Sequence, residues 1–502
     1  MNMCCLTVCL LGLLWSVSTV SGAGTTSSPP PGAITPGPAT YDSSTMKYDY
    51  GKALGLSILF YDAQRAGKLP ANNPIAWRSD SVLYDYDDDG WDLTGGWFDA
   101  GDHTKFSLPM SFATWVLNWG FLKFEDGYSS TGQKTMMCDM IRWPLEYFLK
   151  CWRPDLQVLY AEIGDTESDQ NRWASPENLN MERPAHRLNA SCPGSDVAGD
   201  MASAMASGYL VFKNICPNAK AFADKLLVAA KGIYKFGIDN RGLYSDCIPD
   251  GPTHYKSTHD HDELAAAGAW LYKATGETDY LDDAKGFASP RIPWAFSWNQ
   301  KGPGVNLLLY EATEEDIYLQ ATKDFMDFVM PGGNVSYTPC GLVFRNQWGS
   351  NRFAANMALI ALMAAEHDIM PEEYKTWALS QINYMLGDNN YNLSYEIGFG
   401  DNYPTHYHHR ASSCIAEFLD CDYDTPDDNP NILYGGLVGG PLLNDTYADV
   451  RSDNVQNEVS VDYNSGFQSS LAALVHFANH NALPASPPRK CTARSMDSVL
   501  GR

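Results

Sequence analysis

Residues 195–238 read SDVAGDMASAMASGYLVFKNICPNAKAFADKLLVAAKGIYKFGI, the clearest helical signal in the chain. Apolar residues recur there at mixed spacings of three and four, the period of a helix and not of a strand. Ser195-Asp196 supplies a start signal, and the run reads as helices over Asp196–Asn214 and Asn218–Ile238. The same period predicts helices over Met46–Ala66, Leu108–Phe124, Lys134–Trp152, His261–Gly276, Thr278–Phe287, Gly302–Thr313, Asp316–Met330, Arg352–Asp368, Glu372–Gly387 and Phe467–His480. Strand patterns are short and scattered. About twelve helices joined by long loops rich in Gly, Trp and Asp predict an all-α assembly whose loops carry the function.

The chain has 502 residues, with 35 Lys+Arg against 60 Asp+Glu, for a formal charge of −25. That balance excludes nucleic acid as a natural partner and disfavours an anionic polymer or membrane surface. A neutral substrate is not penalised. The 14 Trp, 28 Tyr and 20 Phe offer many flat apolar faces, suited to sugar rings and to a core alike.

Residues 1–22 read as a signal peptide: an apolar run without charged side chains, with Val20 and Gly22 at the small-residue positions of a cleavage site. Residues 23–45, rich in Pro, Ser, Thr and Gly, read as a solvated linker. A single domain over 46–484 and a polar tail over 485–502 follow. Four sequons, at Asn189, Asn334, Asn392 and Asn444, agree with a secreted, extracellular protein. Of 12 Cys, Cys4, Cys5 and Cys9 leave with the signal. The remaining odd number leaves at least one thiol outside any internal pairing. No CxxC or HExxH occurs, so the usual zinc spacings are absent.

Chemistry concentrates in three places. In Asp92–Pro109, DLTGGWFDAGDHTKFSLP, Asp99 and Asp102 sit on a loop that Gly101 lets bend sharply. Two such close carboxylates share a water or a proton, which suits a general base. Far along the chain, Glu458 lies just before an apolar helix, where partial burial would keep it protonated as an acid. Its bland alternative is a surface ion pair with Arg451. A base and an acid on opposite sides of a bound chain are what glycosidic hydrolysis needs. His406, His408, His409 and Arg410 cluster in GDNYPTHYHHRASSC and suit hydrogen bonding to a sugar better than metal ligation. The run His259–Glu263 offers Asp262 and Glu263 as oxygen ligands for calcium, or else a charged helix N-terminus.

Taken in order, YDYGKALGLSILFYDAQRAGKLP, DLTGGWFDAGDHTKF, CPGSDVAGDMASAMA, WGSNRFAANMALIAL, INYMLGDN, HHRASSC, GGLVGGP and NEVSVDYNSGF resemble glycoside hydrolase family 9 over essentially all of 46–482. The resemblance implies an (α/α)6 barrel of six inner and six outer helices, and an inverting endo-β-1,4-glucanase acting on cellulose and related glucans. Carried over by position, Asp102 is the general base, Asp99 helps hold the water, and Glu458 is the general acid. His408 and Arg410 match substrate contacts, and Trp294 and Trp348 match aromatic platforms. Asp449 matches an acidic residue that orients the site. The resemblance implies no required cofactor and leaves calcium at Asp262 and Glu263 as an expectation to be tested.

The sequence departs from the family pattern at several points. Gln170, Phe353, Tyr407 and Asn454 replace a usual His, Tyr, Pro or aliphatic, and aromatic residue, and are expected to alter subsites. Asn299 stands where some relatives supply an Asp to calcium, which weakens that site.

Overall fold

A computed structural model describes residues 33–289, 291–415 and 421–492. Among these, twelve helices have ten residues or more: α1 (Tyr50–Ala63), α2 (Ser107–Lys123), α3 (Lys134–Cys151), α4 (Ser195–Asn214), α5 (Lys220–Asp239), α6 (His261–Thr275), α7 (Thr278–Phe287), α8 (Gly302–Thr313), α9 (Asp316–Val329), α10 (Ser350–Glu366), α11 (Pro371–Leu386) and α12 (Val461–Asn479). Every expected helix is present. The largest boundary difference is at α12, which begins at Val461 and not Phe467.

The even-numbered helices touch in succession, α2 to α4, α6, α8, α10, α12 and back to α2, closing an inner ring. The odd-numbered ones lie outside it: α1 on α12, α3 on α2 and α4, α5 on α4, α7 on α6, α9 on α8, α11 on α10. The fold is an (α/α)6 barrel. Residue choice follows the layer. Outer α9 buries a stripe, Tyr318, Ala321, Thr322, Phe325, Met326 and Val329, the pattern of a one-faced helix. Inner α10 buries everything from Ser350 to Ala365. Close approach in the inner ring needs small residues. A Cβ on Gly199 of α4 would stand 2.7 Å from the Glu263 backbone of α6, so only glycine fits there.

A small antiparallel sheet, β1 (Lys105–Phe106), β2 (Trp152–Arg153), β3 (Val158–Ile163) and β4 (Ala185–Leu188), has β3 paired with each of the others. Register Lys105↔Ile163 and Phe106↔Glu162 fixes the end of the Asp92–Phe106 loop just before α2.

The expected signal over 1–22 lies outside the described residues. The described part of the linker is not free in solvent. Gly37 and Thr40 donate backbone N–H to the carbonyls of Gly132 and Ser130, each at 2.7 Å, and Ile34 and Tyr41 pack on the core. The described part of the tail is held as well, through a Cys340–Cys491 disulfide. Three further disulfides join Cys138–Cys216, Cys192–Cys247 and Cys414–Cys421. Among the described residues Cys151 is the cysteine left unpaired; it is buried, and burial pushes its thiol up to about 12, which makes it inert. No described helix is long and apolar enough to cross a membrane.

Candidate active site

The loops that precede inner helices α2, α6, α8, α10 and α12 meet around a cavity of about 810 Å³. Asp99, Asp102, Tyr255, Trp298, Trp348, His408, Arg410 and Glu458 all line it.

Backbone pairing holds three distant segments together there. Arg410 N–H donates to Gly101 O at 3.0 Å, Val461 N–H to Asp99 O at 2.9 Å, and His408 N–H to Asn457 O at 2.9 Å. Gly101 makes this possible, because a Cβ at that position would stand 2.1 Å from His408 O. Glu458 therefore reaches the cavity between Asn457 and the start of α12, and it does not pair with Arg451. The Arg451 guanidinium instead donates to Asn429 Oδ1 at 2.9 and 2.7 Å and to carbonyls of the 423–427 loop.

The three carboxyls differ in what surrounds them. Burial, and then the charge of Asp102, hold Asp99 well above the usual carboxylate range. Tyr255 donates its hydroxyl to Asp99 Oδ2 at 2.5 Å. Burial and the nearby Asp169 charge push Asp102 up to about 6, against the pull of Arg410. Ionising both of this adjacent pair is disfavoured, and Arg410 pulls Asp102 towards its charged form. Glu458 is pushed up to about 7, chiefly by burial; the hydrogen bond from Trp348 Nε1 to its Oε2, at 2.9 Å, opposes that rise. Burial thus holds both Asp102 and Glu458 above the usual carboxylate range, within reach of proton exchange near neutral pH.

His408 is a neutral ring. Its Nδ1 lies 2.8 Å from Arg451 O, and burial pushes its pKa down to about 4. With Nδ1–H donated to that carbonyl, Nε2 is left as an acceptor. Arg410 is buried, its NH1 3.3 Å from both Asp169 Oδ2 and Gly101 O, with its guanidinium over the Trp173 ring. Trp173 and Tyr423, with ring centroids 4.7 Å apart, wall the cavity beside His408.

Not every expected residue reaches the cavity. Trp294 lines a neighbouring pocket with His259 and Ile292, its ring edge-on to Phe353 and capped by Arg345. Asp449 works behind the site: its carboxylate accepts the backbone N–H groups of Thr405 and His406 at 2.8 and 2.9 Å, fixing the approach to His408. Gln170 and Asn454 line the cavity, as expected of subsite changes. Tyr407 and Phe353 do not. Both are buried side chains, and the Tyr407 hydroxyl is spent on Asn431 O at 2.6 Å. Tyr255 carried no local signal, being a lone aromatic in a polar loop.

Asp262, Glu263 and His259 each offer a ligand atom within 4.8 Å of one another. The Lys301 ammonium already meets Glu263 Oε1 at 2.6 Å, its backbone N–H meets Asp262 Oδ2 at 2.5 Å, and the Asn299 carbonyl oxygen is turned to Thr258 N–H at 3.0 Å. The residues present do not fit calcium. Excess chelator is therefore expected to leave the calorimetric unfolding midpoint and the hydrolysis rate unchanged; a lowered midpoint restored by calcium would overturn this.

A double ring of helices whose inner loops set two adjacent carboxyls and a third around one aromatic-walled cavity defines a glycoside hydrolase. The chain belongs to glycosyl hydrolase family 9, whose model matches residues 50–471. Endoglucanase B of Cellulomonas fimi is 40% identical over 467 residues, covering 89% of this chain and 44% of that protein, so the chain spans less than half of this relative. Endoglucanase from the termite Nasutitermes takasagoensis superposes with a TM-score of 0.82 at 42% identity, covering 86% of this chain and 100% of that one. The cellulase Cel9M of C. cellulolyticum, in complex with cellobiose, superposes with a TM-score of 0.79 at 33% identity, covering 86% and 99%.

Proposed function

We propose that this protein is a secreted, inverting endo-β-1,4-glucanase that cuts internal bonds of cellulose and related soluble or amorphous glucans. The observation that carries the reading is the convergence of Asp99, Asp102 and Glu458 on one cavity walled by Trp173, Trp298, Trp348 and Tyr423. The cellobiose bound by Cel9M supports a β-1,4-glucan substrate. Four disulfides support passage through an oxidising compartment.

In the proposed reaction, Asp102 takes a proton from a water as its oxygen attacks the anomeric carbon. Neutral Asp99, held by Tyr255, helps fix that water. The bond from the anomeric carbon to the leaving oxygen breaks as Glu458 delivers its proton to that oxygen. Solvent then returns the proton from Asp102 to Glu458. His408 Nε2 accepts a sugar hydroxyl, and Trp173, Trp298 and Tyr423 pack against the CH faces of glucose. Attack by water opposite the leaving group inverts the anomeric centre.

The test follows viscosity and reducing ends on carboxymethyl cellulose, with proton NMR of cellopentaose products in the first minutes. The expected result is a fast viscosity drop and α-configured new ends. Initial β-configured ends would overturn inversion. Faster release from mannan or a glucosamine polymer would overturn the substrate assignment.

A further inference from the structure

Trp348 is 44% exposed, and its indole N–H is directed at the carboxyl of Glu458, with Nε1 2.9 Å from Oε2. Its backbone is fixed at both ends. Asn346 Oδ1 accepts its N–H at 3.1 Å, and Arg352 NH2 donates to its carbonyl at 3.5 Å, while Arg352 NH1 is anchored on Asp462 Oδ2 at 2.9 Å. Gly349 follows with φ +69, a conformation L side chains avoid, and a Cβ there would meet the Tyr463 ring at 2.9 Å. The turn therefore packs against α12 and aims the indole at the acid. A ring serving only as a sugar platform needs no such direction for its N–H.

Resting on the reading of Glu458 as the general acid, we propose that Trp348 is a positioning residue for the acid: its indole N–H holds Oε2, so that Oε1 carries the proton to the leaving oxygen. As that proton departs, Glu458 becomes a carboxylate close to Asp102 and Asp462, whose charges oppose it. Arg352 favours the carboxylate, and Tyr255, Tyr463 and His408 complete the surroundings. The indole hydrogen bond strengthens as negative charge develops, which stabilises the transition state more than the ground state. Its sign is also fixed. A donor to the charged form lowers the acid's pKa, so its loss raises it.

The experiment compares wild type, Trp348→Phe and Glu458→Gln by kcat against pH on cellopentaose, and by kcat on 2,4-dinitrophenyl cellobioside, whose leaving group needs no proton. Phenylalanine keeps a flat ring and removes the donor. The expected result for Trp348→Phe is an alkaline limb moved up by about one pH unit, the low end for a hydrogen bond to a charged group. Its kcat on cellopentaose should fall about tenfold, with near-wild-type kcat on the aryl substrate. An unmoved limb with a raised KM on both substrates would reduce Trp348 to a sugar platform and overturn the proposal. Retention of the alkaline limb in Glu458→Gln would overturn the acid assignment itself, whatever Trp348→Phe does.

Discussion

Glu458→Gln and Asp102→Asn are each expected to lower kcat on cello-oligosaccharides by about 10²–10⁴-fold, the contribution of a positioned acid or base. KM should change little, because both amides keep the shape and polarity of the cavity wall. The two losses differ in kind. A leaving group of low pKa departs without protonation, so an aryl cellobioside should recover most of the Glu458→Gln loss and little of the Asp102→Asn loss. Steady-state kinetics on cellopentaose and on 2,4-dinitrophenyl cellobioside measures both. Equal recovery in the two variants would mean that the roles of these carboxyls are assigned wrongly. The assignment of the base to Asp102 and not Asp99 rests on ionisation order. Burial and the Asp102 charge favour a neutral Asp99, whereas Arg410 favours a charged Asp102.

The twelve helices were legible because apolar periodicity is a local property, as in Asp316–Met330, whose single apolar stripe is the face α9 buries. The start of α12 was not. Its first turn carries Asp462, Asn464 and Ser465, which are polar yet fully buried; Asp462 faces Arg352 and Asn464 holds the Leu437 backbone. Hydropathy cannot distinguish buried polar residues from exposed ones. The order of helices in the ring was equally hidden, since it depends on approaches such as Gly199 to Glu263 between separate helices. At the site, Asp99, Asp102 and Glu458 were readable from their motifs and their carboxylate chemistry. Tyr255 and the Trp348 donor were not, because each role is an orientation toward a residue far away in sequence. The Glu458–Arg451 alternative shows the reverse error of local reading: the two are close in sequence, yet Arg451 turns to the 423–429 loop.

Lys301→Met is expected to cost about 3–5 kcal/mol of stability, the range for removing one partner of a buried ion pair. The Lys301 side chain is fully buried, its Nζ 2.9 Å from Asp200 Oδ2 and 2.6 Å from Glu263 Oε1, and it also donates to Trp298 O. Burial works against its charge, but Asp200 and Glu263 outweigh it and the ammonium's pKa is raised. Burial holds Glu263 well above the usual range and pushes Asp200 up to about 7, while Asp262, bonded by His259, is lowered to about 2. Lys301 thus balances Asp262 at all working pH and Asp200 above about 7. The pH dependence follows from the sign. A carboxyl raised from 3.8 to about 7 contributes stability fully present below 3.8 and lost as pH rises through 7. Without the ammonium, Asp200 rises further, so the variant keeps losing stability where wild type levels off. The deficit should therefore widen as pH increases above about 7, as read by urea unfolding at several pH values. Lys301→Met combined with Asp200→Asn removes both charges and should recover part of the loss. A single variant within about 1 kcal/mol of wild type, flat in pH, would show that this cluster is neutral in the folded protein and that no charge balance operates between α4, α6 and α8.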